Sequence, residues 1–108
     1  MQNLIISDIP KKIVSMIDNS DRFMSRILVK FVNGYQLSII RGDFSYGGAS
    51  GLFEIAIIDN LGDFCTNRVF AIRYGKSLND NIIGWLDECE VRDWAIYIAN
   101  LPIMEAIE

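Results

Sequence analysis

Two rhythms of apolar residues run along the chain, one with the period of a helix and one with the period of a strand. Within residues 8–19, Ile9, Ile13, Met16 and Ile17 fall on one helical face, and Pro10 stands where a first turn tolerates it. This spacing predicts a helix over 8–19, with Lys11, Lys12 and Asp18 facing water. Over 22–32 the sequence becomes RFMSRILVKFV, rich in β-branched and aromatic side chains, and is followed by Asn33-Gly34, the dipeptide suited to a two-residue type I′ turn. A β-hairpin is expected there. Such a turn would set Val32 against Tyr35, Lys30 against Leu37 and Leu28 against Ile39 on one face, with Phe31/Gln36, Val29/Ser38 and Ile27/Ile40 on the other. Neither face is cleanly polar, which predicts a sheet partly covered on both sides, by helices or by another subunit.

The same double-sided character marks a third strand over 52–58, which ends in the breaker-rich Asp59-Asn60-Leu61-Gly62-Asp63. A fourth strand over 68–74 is expected to return beside it. The final segment predicts a helix over 87–101. Asp87 and Glu90 have capping-box spacing, and Leu86 and Val91 have that of a hydrophobic staple. Val91, Trp94, Ala95, Ile98 and Leu101 then form one apolar stripe, stopped by Pro102. The expected fold is α+β, a single domain over 1–108. It is an antiparallel four-stranded β-meander over 22–74, with an N-terminal helix and a C-terminal helix packed on the sheet.

With 51% hydrophobic and 22% charged residues, the chain has the composition of a folded domain with one core, not of a disordered segment. No apolar run approaches the roughly 18 residues of a membrane span. The opening MQNLIISDIP lacks the basic and apolar regions of a secretion signal, so a soluble intracellular protein with no membrane partner is expected. Histidine is absent, which removes the usual general base, the activator of Ser and Cys nucleophiles and the commonest metal ligand. Cys65 and Cys89 fit no metal motif or disulfide framework and read as free thiols, one in a loop or strand edge and one in the first turn of a helix. Turn and cap chemistry accounts for the carboxylate groups Asp59/Asp63 and Asp87/Glu88/Glu90. No catalytic residue, cofactor or metal is expected, and the chain reads as a non-enzyme.

Charge divides the chain. Residues 1–79 hold nine basic and seven acidic side chains, whereas 80–108 hold seven acidic ones and Arg92 alone, splitting the net −4 into +2 and −6. An acidic C-terminal third disfavours direct nucleic-acid binding, which needs clustered Lys and Arg. It suits a basic protein surface, although an exposed helix face that keeps the protein soluble is the plainer reading.

Residues 42–59, GDFSYGGASGLFEIAIID, raise the possibility of a phosphate loop. A Walker loop needs GxxxxGK[ST] running into a helix, but after Gly42 and Gly47 come Gly48 and Ala49, without Lys. GxGxxG is absent too, and a strand pattern follows Gly51. Arg41-Gly42-Asp43 matches an integrin-recognition string without any sign of secretion. What remains is a long loop in which Gly47, Gly48 and Gly51 permit positive φ or close approach. Phe44 and Tyr46 either fold back as a lid on the core or stand out as anchors for a partner.

A resemblance spans residues 31–101. FVNGY from Phe31, LSII from Leu37, FSYGG from Phe44, GLFEIA from Gly51 and NIIGWL from Asn81 are similar, in this order, to the NGYG, S-V, YGG, GL-E-AV and DVIGYL motifs of a family of small bacteriophage proteins. The chain departs from the family at Gln36, where glycine is usual, and in its N-terminal segment. The resemblance implies a phage origin, residence in the host bacterial cytoplasm and a non-enzymatic role against a host defence system, with no catalytic residue to carry over.

Three functions are therefore open. The leading one is an accessory viral protein that binds a host protein with a basic, nucleic-acid-binding surface, through Phe44, Tyr46, Glu88, Glu90 and Asp93. The second is a small-ligand or nucleotide-binding module using the loop over 42–51 with Asp43 and Tyr46. The third is a structural protein that self-associates, as a homodimer or larger, through the second sheet face.

Overall fold

The computed structural model describes residues 12–43, 45–78 and 80–103. In chain order the elements are β1 (Ile13–Asp18), β2 (Met24–Phe31), β3 (Gln36–Gly42), β4 (Phe53–Ile58), α1 (Thr66–Tyr74), β5 (Ile83–Leu86) and α2 (Glu88–Ala99). The strands form one antiparallel sheet in the order β1-β2-β3-β4-β5, so the architecture is α+β with five strands, not the four expected.

The β2–β3 hairpin sets the face of every side chain near it. The Phe31 N–H donates to the Tyr35 carbonyl (2.9 Å) and the Gly34 N–H to the Phe31 carbonyl (3.1 Å), closing a three-residue loop with Gly34 at φ 96°. One more loop residue than expected moves the register by one, so Val29 pairs with Leu37 and Ile27 with Ile39. Such a slip exchanges the faces of a strand. It gathers Ile27, Val29, Phe31, Leu37 and Ile39 on one buried face. The cause lies far along the chain. Asn33 is 3% exposed, and its Nδ2 donates to the carbonyls of Ile98 (2.7 Å) and Leu101 (3.1 Å) at the end of α2.

Two expected elements are corrected. Of the helix expected over 8–19, residues 8–11 lie outside the described residues, and Ile13–Asp18 is strand β1, paired to β2 with an irregularity between Ile13 and Ser15. Ile13, Val14 and Ile17 are β-branched, and pairing with a neighbouring strand outweighs a short helical spacing. The strand expected over 68–74 is helix α1 instead. Its first turn is tied down from outside: the Thr66 hydroxyl accepts the Ile57 N–H (2.8 Å) and Asn67 Oδ1 accepts the Leu78 N–H (2.8 Å). Gly75, at φ 74°, closes it. The sheet is completed by β5, so it extends over 13–86 and not 22–74.

Helix α2 forms where its local sequence directs. The Asp87 carboxylate accepts the Glu90 N–H (2.8 Å) and Glu90 Oε1 accepts the Asp87 N–H (3.1 Å), a complete capping box. Val91, Trp94, Ala95 and Ile98 from α2 and Val69 from α1 join Phe53, Ile55, Ile57 and the buried hairpin face in a single cluster. Each such large side chain, fully buried, contributes about 1.5–3 kcal/mol. Both helices thus cover the same side of the sheet, so the expected two-sided cover is not supplied by the helices. The opposite face, with Leu28, Ile40 and Ile58 half-buried, receives neither of them. Among the described residues no helix is long and apolar enough to cross a membrane.

Candidate functional site

The glycine segment folds back onto the last strand. The Tyr46 N–H donates to Glu54 Oε1 (2.9 Å), and the Tyr46 carbonyl accepts the Trp85 N–H (3.2 Å). Gly47 and Gly84 make this seam possible: a Cβ on Gly47 would come within 2.9 Å of Trp85 Cα, and one on Gly84 would overlap the Tyr46 Cβ. The amides of Ser45, Gly48, Ser50, Gly51 and Leu52 all donate to carbonyls within the segment, so with Tyr46 six donors are already engaged and unavailable to an anion.

Opposite Glu54, strand β5 carries an irregularity. Phe53 pairs with Leu86 and Ile55 with Ile83, leaving Gly84 and Trp85 both against the one residue Glu54. Trp85 takes φ 62°, the one positive φ outside glycine among the described residues. A bulky residue there is under strain of about 1–3 kcal/mol. The strain secures no core packing, since Trp85 is 62% exposed and Tyr46 beside it is 54% exposed. Trp85 is the functional candidate that sequence reasoning passed over. Its signal was a glycine-aromatic pair interrupting the β-prone Ile82 to Leu86.

The five residues expected to bind a partner separate. Phe44 lies outside the described residues. Tyr46 is joined to Trp85 through its backbone carbonyl, and its own N–H is held by Glu54. Glu88 is exposed in the first turn of α2. Glu90 is committed to the capping box. With Asp93 it lines a cleft of about 160 Å³ against Arg73, Tyr74 and Trp94. There the Arg73 guanidinium lies 4.4 Å from the Trp94 ring, 4.8 Å from Tyr97 and 5.1 Å from Tyr74, and among the described residues its buried Nη1 has no hydrogen-bond partner. The ring faces satisfy that cation, so the cleft is helix-to-helix packing.

A larger cleft of about 400 Å³ opens at the start of α1, lined among others by Asp59, Cys65, Arg68 and Asn81. Its chemistry is structural. Asp59 Oδ1 accepts the Leu61 and Asp63 amides (2.9 Å each), holding the β4–α1 turn. Burial pushes the Cys65 thiol up, with Arg68 only partly opposing, so it stays protonated and weakly nucleophilic at neutral pH. Cys65 is buried and Cys89 exposed, both as free thiols. Among the described residues no group of three His, Cys, Asp or Glu side chains could hold a metal ion. The chain matches no protein-family model, no curated protein and no solved structure at a significant level.

Proposed function

We propose that this chain is a non-enzymatic binding protein that docks a basic surface of a host protein through Tyr46 and Trp85. Glu54, bonded to the Tyr46 N–H, sets negative charge beside them. The observation that carries the reading is Trp85 itself: a large aromatic side chain held in a strained conformation and presented to solvent. Aromatic anchors of this kind dominate interface energetics, and surrounding carboxylates select a cationic partner and speed its approach. The resemblance to small bacteriophage proteins supports a viral accessory role in the bacterial cytoplasm, acting as an inhibitor of host defence.

The test is affinity capture from bacterial lysate with the wild type and with a Tyr46→Ser/Trp85→Gly double variant. The wild type is expected to retain a basic host protein whose capture weakens with salt. The double variant, still folded by circular dichroism, loses it. Equal capture by both, or capture of nothing but the chain itself, overturns the proposal.

A further inference from the structure

The outer face of the sheet has a pattern that a solvated face does not require. Antiparallel sheets covered on one side usually turn polar residues outward. Here the paired positions Leu28, Ser38 and Ala56 form a row across β2, β3 and β4, with Ile17 of β1 joined to it and 39% exposed. The next row is Arg26, Ile40 and Glu54: a cation on one flank, an aliphatic centre and an anion on the other.

We infer that this face packs on the same face of a second copy of the chain, about a two-fold axis running along β3. Rotation about that axis lays β2 of one copy over β4 of the other while keeping each row level. Arg26 then faces Glu54 of the second copy, twice by symmetry, and Ile40 meets Ile40. In the neighbouring row the half-buried Leu28 lies over the position of Ala56, which is itself already buried within the chain. A two-fold axis across the strands would instead bring Arg26 onto Lys30, like against like. Charge thus selects one of the two ways in which the faces can meet, as expected for a self-complementary patch. Sheets packed face to face lie about 10 Å apart, within reach of an Arg and a Glu side chain extended toward each other. Glu54 is held in place by the Tyr46 N–H at Oε1. The inference does not depend on the host-protein reading. The two surfaces share Glu54, and they are told apart by different measurements, self-association by sedimentation and host binding by capture.

Sedimentation velocity across the micromolar range decides it. The wild type is expected at twice the 12.3 kDa chain mass. Arg26→Glu, which sets carboxylate against carboxylate, raises the dissociation constant more than about a hundredfold. Glu54→Arg does the same, and the Arg26→Glu/Glu54→Arg double variant restores the dimer. If Glu54→Arg disturbs the glycine segment, Ile40→Glu on the axis gives the same readout without touching it. A monomeric wild type overturns the inference. So does a dimer that survives both Arg26→Glu and Ile40→Glu.

Discussion

Replacing Asn33 tests whether one polar side chain joins the first hairpin to the last helix. In Asn33→Ala three hydrogen bonds disappear: two from Nδ2 to the carbonyls of Ile98 and Leu101, and one from the Tyr35 N–H to Oδ1 (3.2 Å). Each is worth about 1 kcal/mol net, and a buried group left without a partner adds to the loss, so destabilisation of about 2–4 kcal/mol is expected. For a domain of this size that lowers the melting temperature by roughly 10–25 °C. Asn33→Asp should be worse than Asn33→Ala, because it turns a carboxylate oxygen toward two carbonyl oxygens in a buried place. Urea unfolding monitored by circular dichroism measures both variants, with a lower midpoint at unchanged slope. A loss below about 1 kcal/mol for Asn33→Ala, or a milder effect for Asn33→Asp, would refute the tether.

At Trp85 the usual order of glycine and alanine should reverse. Glycine in an ordinary strand position is less stable than alanine by about 0.5–1 kcal/mol. With φ at 62°, Trp85→Gly should instead match or exceed Trp85→Ala by about 1 kcal/mol in urea unfolding, and an alanine advantage would count against the strain. For the thiols, a chromogenic disulfide reagent at neutral pH should titrate Cys89 quickly and Cys65 only on unfolding; two fast thiols would contradict the burial of Cys65. Burial also raises both Cys65 and Tyr35 above their ordinary values of 9.0 and 10.0, and each favours its neutral form when folded. Their contribution is therefore complete below about pH 9 and lost as pH rises through the folded-state values, so thermal stability should decline on the alkaline side. A melting temperature that is flat or rising there would be the contrary result.

The parts of the fold legible in the sequence are those written locally. Asp87, Glu90, Leu86 and Val91 specify the start of α2 within a few residues, and the structure places that capping box as expected. The hairpin was legible as a hairpin but not in register. Asn33-Gly34 locally favours a two-residue turn, whereas the Asn33 side chain is drawn to carbonyls 65 and 68 positions away. Segment 68–74 misled because RVFAIRY satisfies strand propensity, while Thr66 and Asn67 fix the helix by bonding to Ile57 and Leu78, outside its own turn. β1 misled in the opposite direction, since a few apolar residues at mixed spacing satisfy either period until a partner strand is known. Of the candidate site, Tyr46 could be named from the glycines around it. For Trp85 only the Gly84-aromatic interruption was legible; its conformation arises where β5 meets the folded-back loop.

Sheet order that follows chain order has a consequence for synthesis. As the polypeptide leaves the ribosome, β1 to β4 can pair one after another, each strand finding its neighbour already made. Helix α1 then covers part of their apolar side, and the rest stays open until residues 88–101 emerge, because α2 supplies most of the helical lid and the acceptors that Asn33 awaits. The nascent chain passes through an open half-sandwich whose exposed surface is greatest just before completion, and a pause in translation before α2 would be the moment of greatest exposure to chaperones and to self-association.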